Sequence, residues 1–325
     1  MAAMDVLSWM CPFRLDMPDR RQYLSFTWGC ASIKRRRTFR CEHRGSHGRG
    51  DGGGKRRGVK TVQRFSPVHS FDVSYREAKR IQDELSGRVD LSDVITSPED
   101  IELVGGADVA FLPCSHESSN SGTLSGREMT GEGPVIPSSG KNGRDLGTVA
   151  LAVVTVIDVR QNAVVETAYA TIPVRFPYIP GFLTFREGPA VLAAIGELKT
   201  LPGIMLYDGA GIAHPRLMGI ASHMAVLTGI PSIGCAKSLL VGVCDEPGRG
   251  RGEWTYLFLR DRPVGVCLRT RSGIRPIYVS PGSGFSVDGA RRFVHSLAGK
   301  YRLPEPTRIA HRLVTEEKRR MMWRR

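Results

Sequence analysis

The sequence predicts a mixed α/β domain in which a β-sheet with antiparallel and parallel strands is flanked by helices. In the first half, three strand-length apolar segments follow one another, and a turn joins the last two. In the second half, short apolar strands alternate with segments of helical periodicity. Hydrophobic residues make up 41% of the chain and charged residues 24%, which is typical of a protein with a buried core and excludes wholly disordered and fibrous classes.

An amphipathic helix opens the domain near Ser74, because apolar residues recur at helical spacing among charged ones, at Ala78, Ile81, Leu85 and Val89. Three predicted strands follow, over residues 102–112, 148–159 and 163–172. Between the first two strands, residues 113–147 are rich in Ser, Gly and Pro, which favours a disordered insertion over a functional loop.

The second half continues the domain to residue 297. Helices are predicted over residues 189–198, 215–228 and 286–297, the last of which closes the domain. Strands are predicted over residues 203–207, 232–235, 255–259, 264–268 and 277–279.

The basic charge of the chain lies mainly at its two ends. The net charge is +14, of which residues 1–66 carry +10, from 15 basic and 5 acidic residues, and residues 316–325 carry +3. We therefore expect a basic, disordered extension over 1–66, a folded catalytic domain over 67–315 and a basic tail over 316–325. The extension fits three interpretations, which are a solvated tail, a nucleic-acid or nuclear-import segment, and an organelle transit peptide.

The chain shows no sign of a membrane or secreted protein. It contains no run of about 18 apolar residues, and its first thirty residues lack the order of a secretory signal. The seven cysteines form no CxxC pair, which excludes a zinc ribbon and does not favour a disulfide framework. We expect a cytoplasmic protein in a reducing compartment, with nuclear or organellar targeting if the extension is a signal.

Two aspartates stand where predicted strands meet small residues. Asp108 interrupts an apolar strand, and Asp208 ends another strand just before Gly209 and Gly211. A carboxylate in such a place is unfavourable unless it is paired, protonated or bound to a cation, and two of them suit Mg²⁺. The alternative for Asp108 is a carboxylate that only caps the strand end.

The segment PYIPGFLTFRE, residues 177–187, holds an unusual loop. Prolines on both sides of Tyr178 and Ile179 stiffen it, so that these two side chains can project as a rigid apolar wedge of the kind that enters a base stack. A proline turn that packs its aromatic residues inward is the alternative. Glu187 follows at a predicted helix start, where it can join the two aspartates.

His214 and Lys237 carry little information by themselves. A single histidine before a helix is commonly a capping residue, and a single lysine after a strand gains meaning only from its neighbours. Near the acidic residues, however, the Lys237 ammonium is a suitable partner for a phosphate.

Taken together, these residues resemble the endonuclease V family, the inosine-directed nucleases with a ribonuclease H-like fold. The resemblance runs from residue 75 to residue 308, interrupted by 113–147. Its motifs are GADV at 106–109, PYIPGFLTFRE at 177–187, DGAGIAHPR at 208–216, GIASH at 219–223, PSIGCAK at 231–237 and YRLPEPTR at 301–308.

The resemblance implies a catalytic role for each acidic position. Asp108 and Asp208 would bind Mg²⁺, for which Mn²⁺ substitutes, and Glu187 would be a catalytic acidic residue beside them. The resemblance further implies that His214 and Lys237 assist at the scissile phosphate.

The resemblance also implies how the substrate is held. Tyr178 would be the wedge, with Ile179 next to it, and the backbone of Gly181, Leu183 and Gly211 would line the pocket for a flipped hypoxanthine base. The family reaction is hydrolysis of the second phosphodiester on the 3′ side of inosine, in DNA or in RNA, and we expect a monomer.

Two positions depart from the family pattern. Gly282-Ser283 replaces the Gly-His that many members carry before the last helix, so a histidine expected near the active site is absent, and Ala210 replaces a usual polar residue. The favoured hypothesis is a Mg²⁺-dependent endonuclease that acts on deoxyinosine in DNA repair. The alternatives are an inosine-specific endoribonuclease and a non-catalytic inosine-binding protein.

Overall fold

The computed structural model describes residue 65, residues 68–113 and residues 147–323. The expected extension over 1–66 lies outside the described residues except for Phe65, and so does the expected insertion except for its two end residues. Residues 324 and 325 also lie outside them.

One eight-stranded sheet runs through the described part of the chain, with strand order β3-β2-β1-β4-β5-β8-β7-β6. Parallel pairing joins β1 to β4 and β4 to β5, and all other neighbours are antiparallel. The strands are β1 Leu103–Pro113, β2 Thr148–Asp158, β3 Ala163–Pro173, β4 Ile204–Tyr207, β5 Ser232–Ala236, β6 Trp254–Leu259, β7 Arg262–Leu268 and β8 Ile277–Ser283. The predicted sheet with mixed strand directions is confirmed.

Helices cover both faces of this sheet. They are α1 Tyr75–Ser86, α2 Leu183–Gly196, α3 Ile220–Thr228, α4 Val287–Ser296 and α5 Glu305–Trp323, and Pro98–Asp100 adds a single 3-10 turn. Alternate residues of β2 separate the two layers: Ala152 and Val154 face α2 and α3, whereas Leu151 and Val153 face α5. No helix in the described ranges is long and apolar enough to cross a membrane.

The close approach of α5 to β1 depends on Gly106. A Cβ at this position would lie 2.2 Å from the backbone of Pro306, so any side chain there would push the start of α5 away from the sheet. The Thr155 hydroxyl of β2 also donates to the Pro306 carbonyl, at 3.3 Å. These contacts fix α5 over the middle of β1, where Asp108 lies.

A pair of histidines, one of them fully buried, lies beneath α2. The Nε2 atoms of His69 and His223 are 2.7 Å apart, and the rings of Phe71 and Phe185 pack around them. His223 is fully buried in α3. Burial, together with the charges of His69 and His214, lowers the pKa of His223 to about 3, and burial lowers the pKa of His69 as well.

Three helices differ from the predicted ones. Helix α2 begins at Leu183 instead of 189, with Pro189 inside it. Helix α3 begins only at Ile220, because tight turns occupy the preceding residues. The helix over 286–297 does not close the domain, since α5 follows it and remains helical to Trp323, across the expected boundary at 315.

Candidate active site

The carboxylates of Asp108 and Asp208 meet where strand β4 ends. Ala107 of β1 pairs with Tyr207, the last residue of β4, so the next residue of each strand lies at the same edge of the sheet. Beyond this point β1 continues beside β2 alone, which leaves both aspartates facing a gap in the sheet. Their side chains are 15% and 17% exposed. The strand ends therefore present two adjacent carboxylates to a ligand.

Helix α5 brings His311 to the same place. Its Nδ1 lies 2.7 Å from Oδ2 of Asp108, and since a carboxylate accepts, this nitrogen carries the hydrogen. One ligand atom from each of Asp108, Asp208 and His311 lies within 4.8 Å of the other two. Burial raises the pKa of Asp108, and the charge of Asp208 adds to this, while the bond from His311 opposes it.

Glu187 reaches the aspartates from α2, on the opposite face of the sheet. Burial, reinforced by the negative charges of Asp108 and Asp208, raises the pKa of Glu187 to about 8. The negative charge of Glu187 and those of the two aspartates repel one another when all three groups are ionised. A cation between them would relieve that repulsion, and carboxylate oxygens are the ligands that a hard cation such as Mg²⁺ prefers.

Lys237 lies on the other side of Asp208, just after β5 ends. Its Nζ pairs with Oδ2 of Asp208. The Lys237 carbonyl accepts a hydrogen bond of 2.7 Å from Arg302, which also binds the Pro276 carbonyl. Arg302 therefore fixes the backbone that carries the lysine.

A cleft of about 310 Å³ opens beside this cluster. Asp208 and Lys237 line it, together with Tyr178 and Gly181 of the preceding loop and Leu183 at the start of α2. Apolar walls with a few polar groups are typical of sites for small rings. The cleft and the acidic cluster share Asp208, so one ligand can occupy both.

Three side chains hold the loop at a single carbonyl. Gly181 has a φ of +80°, which favours glycine. Its carbonyl accepts from Nε2 of Gln82 at 3.0 Å, from Nε2 of His214 at 2.7 Å and from Nη2 of Arg216 at 3.0 Å. Burial, together with the charge of Arg216, lowers the pKa of His214 to about 4, so this ring is neutral near pH 7.

The two side chains expected as a wedge point to different places. Tyr178 is 64% exposed at the rim of the cleft. Ile179 instead packs against the buried cluster that contains Phe176 and Phe182, and it anchors the loop. Both residues border the cleft, but Tyr178 is the more exposed of the two.

A family model described as Endonuclease V matches residues 138–312 of the chain. Endonuclease V of Trichormus variabilis is 41% identical over 254 residues, which cover 78% of this chain and 99% of that protein. The chain belongs to the endonuclease V family.

Solved structures agree with this assignment. Endonuclease V from Streptomyces avermitilis is 37% identical, with a TM-score of 0.63 over 78% of this chain and 96% of that one. Endonuclease V from Ciona intestinalis shares the fold at 23% identity, with a TM-score of 0.57 over 76% of this chain and 98% of that one. That protein was crystallised with a 24mer DNA containing an inosine followed by a ribo-adenosine. The expected ribonuclease H-like α/β fold is confirmed, and the chain is a nuclease.

In this endonuclease V the structure brings together Asp108, Glu187, Asp208 and Lys237. It places His214 at the Gly181 carbonyl, where the ring holds the loop. Gly211 does not line the cleft, because its N–H donates to Ser280 Oγ and a Cβ there would meet the Pro281 carbonyl at 2.0 Å. The neighbouring Gly209 and Ala210 line the cleft instead.

His311 is not among the residues expected from the sequence, and the expectation that a histidine is absent near the carboxylates is wrong. Ser283 hydrogen-bonds to the backbone of Asp90, and His311 from α5 lies beside Asp108. The missed signal was the continuation of the last motif, since buried Thr307, Ala310 and Val314 mark a helix that carries His311.

Proposed function

We propose that this endonuclease V hydrolyses the second phosphodiester on the 3′ side of inosine and acts on deoxyinosine in DNA repair, with Mg²⁺ as the cofactor and Mn²⁺ as a substitute. One observation carries the proposal: three carboxylates and a lysine converge beside a cleft whose rim presents an exposed tyrosine. The Ciona complex supports inosine as the base, because the DNA bound to that relative contains one. The expected monomeric state and cytoplasmic location stay predictions.

The donor set supports a hard divalent cation. Asp108 and Asp208 would hold it through carboxylate oxygens, and His311 would orient the Asp108 carboxylate through its Nδ1–H. When bound, such a cation lowers the pKa of water and stabilises negative charge on phosphate oxygens. When no cation is bound, the negative charges of the three carboxylates disfavour the binding of an anion such as a phosphate.

Glu187 would accept a proton during hydrolysis. Before a cation binds, the pKa of Glu187 is about 8, close to neutral pH, which suits a group that takes up a proton and returns it. Glu187 interacts electrostatically with Asp108 and Asp208, and the proton from an attacking water molecule would go to a Glu187 oxygen. Lys237 would bind a phosphate oxygen by exchanging its partner Asp208 for the substrate.

The cleft would hold the flipped base. Tyr178 would occupy the gap that the extracted base leaves in the stack, and inosine pairs weakly, so its extraction requires less free energy. Hypoxanthine lacks the exocyclic amine of guanine and has a carbonyl in place of the adenine amine. A narrow cleft lined by Gly181 and Gly209 can exclude an extra amine and complement the carbonyl.

The test is a cleavage assay with Mg²⁺ on matched strands that contain one deoxyinosine, one ribo-inosine or neither. We expect a cut one nucleotide beyond the inosine, absent from the control strand and abolished in Asp208→Asn. Cleavage of the ribo-inosine strand alone would favour the endoribonuclease alternative. Binding of inosine strands without any cleavage would contradict the catalytic assignment and leave an inosine-binding protein.

A further inference from the structure

Helix α5 extends well beyond the active site along an exposed face. Its buried side, including Ala310, Val314 and Met321, packs on β1 and β2. Its other side carries exposed Arg312, Arg319 and Met322 and ends at Trp323, which is 90% exposed. Tryptophan side chains are usually well buried, so an exposed tryptophan at the end of an anchored helix indicates a surface that binds a ligand.

The chemistry of this face fits a nucleic-acid strand. Residues 312–323 hold four basic and two acidic residues. Arg312 lies 3.8 Å from Glu316 in a loose, exposed pair that a phosphate can replace. Basic side chains that follow a backbone, together with an aromatic ring on which a base stacks, are the usual elements of a single-strand binding surface.

The order of strands in the sheet places this face on one side of the catalytic cluster. Asp108, Asp208 and Lys237 belong to β1, the end of β4 and the end of β5, which are successive neighbours. The cleft lies on the side of Asp208 and Lys237, whereas α5 packs on β1 and β2. A strand with its base in the cleft and a phosphate at the cluster would continue onto α5.

We propose that the exposed face of α5 from Arg312 to Trp323 binds the substrate strand on the 3′ side of the cut. This inference rests on the proposed function, since the cut lies 3′ to the base in the cleft. Arg312 and Arg319 bind phosphates, and Trp323 stacks on a base. At 1.5 Å per residue, Trp323 lies about 18 Å along the helix from His311, which corresponds to about five nucleotides at 3.4 Å each.

The experiment varies the length of the strand beyond the cut. The deoxyinosine strands share one 5′ half and extend about two, five or eight nucleotides beyond the cut, lengths chosen around the five-nucleotide span of α5. The kcat/KM is measured for each strand. For the wild type, we expect kcat/KM to rise about tenfold up to five nucleotides and then to level off. Trp323→Ala and the double variant Arg312→Gln/Arg319→Gln should each lose most of this rise.

Matched variants distinguish a specific effect of the α5 face from a general effect of losing positive charge. Arg249→Gln/Arg262→Gln removes the same charge from exposed positions near the edge strand β6, on the far side of the sheet, and should keep the full rise. Trp323→Phe should keep most of it, because a phenyl ring still stacks. The double variant Arg312→Gln/Arg319→Gln should also lower the slope of log Kd against log salt by about 1.4 for a single strand.

Equal kcat/KM at all lengths in the wild type would overturn the inference, and so would an unchanged length dependence in the α5 variants. If the wild type cuts none of the strands, the proposed function fails. The Kd of an unmodified single strand then still tests α5: weaker binding by Trp323→Ala than by the wild type would support the surface, and equal binding would overturn it.

Discussion

Ionisable groups gather in two buried places of this endonuclease V, the carboxylate cluster at the end of β4 and the histidine pair beneath α2. In both places burial is the largest cause of the pKa shifts, upward for Glu187 and downward for His223. The histidines can stay neutral, since one ring donates to the other inside an aromatic shell. The carboxylates have like charges as neighbours, and Asp208 borders an open cleft.

This difference shows that a shifted pKa alone does not identify a functional site. Burial shifts the pKa of His223 strongly without giving that ring access to a ligand. What distinguishes the cluster is an excess of negative charge, from three carboxylates against the single ammonium of Lys237, next to a cleft that a substrate can enter.

The largest expected effect is a difference in cleavage rate between a variant of the carboxylate cluster and a variant of the histidine pair. Asp208→Asn should reduce the cleavage rate by about a thousandfold or more, because it removes a negative charge that the cation requires. His223→Gln, at the histidine pair, should change the rate by less than about threefold. Rates from the Mg²⁺ assay on a deoxyinosine strand check both, and a similar loss in both variants would refute the distinction.

The next effect concerns stability without a cation. The folded pKa of Glu187 is about 8, above the 4.5 of an unfolded glutamate, so this residue costs stability increasingly as pH rises from 4.5 toward 8. At pH 8 in the presence of a chelator, Glu187→Gln should raise the free energy of unfolding by about 2 kcal/mol. This value is smaller than the full pKa difference implies, because the Glu187 side chain is in partial contact with solvent.

Denaturant unfolding with and without Mg²⁺ checks this prediction. Mg²⁺ should stabilise the wild type more than Glu187→Gln, because the cation relieves a repulsion that the variant lacks. A variant less stable than the wild type at pH 8 in chelator would contradict the proposed strain at the cluster.

A smaller effect tests the exposed tyrosine at the rim. Tyr178→Ala should weaken binding to deoxyinosine strands about tenfold, while Tyr178→Phe should retain most of the affinity because its ring still stacks. Fluorescence anisotropy with deoxyinosine and control strands measures the ratio of the two affinities. An unchanged ratio in Tyr178→Ala would exclude the wedge.

The smallest effect is a pH dependence at the histidine pair. The folded pKa of His223 is about 3, below the 6.5 of an unfolded histidine, so its stabilising contribution is complete above pH 6.5 and is lost as pH falls toward 3. Between pH 6.5 and 5.5, the wild type should lose about 1 kcal/mol more than His223→Phe. Unfolding curves at the two pH values measure this, and parallel losses would contradict the neutral state of the pair.

The sequence predicted those parts of the fold and site that local patterns encode. Asp108 and Asp208 interrupt or end apolar strands, so their meeting at one edge follows from parallel pairing of β1 and β4. His311 could not be predicted in this way, because its approach to Asp108 depends on contact between α5 and Gly106 across the sheet. The position of His214 likewise depends on the fold of a distant loop, since its partner is the Gly181 carbonyl.

The Gly181 carbonyl has a consequence for how the protein tolerates change. An oxygen with two lone pairs is approached here by three donors, so the loop keeps its anchorage when any single donor is lost. The three donors, Gln82, His214 and Arg216, therefore substitute for one another, and this part of the cleft should tolerate the loss of any one of them. Each carboxylate of the cluster lacks a duplicate of this kind, so substitutions should be tolerated more readily at the donors to Gly181 than at Asp108, Glu187 or Asp208.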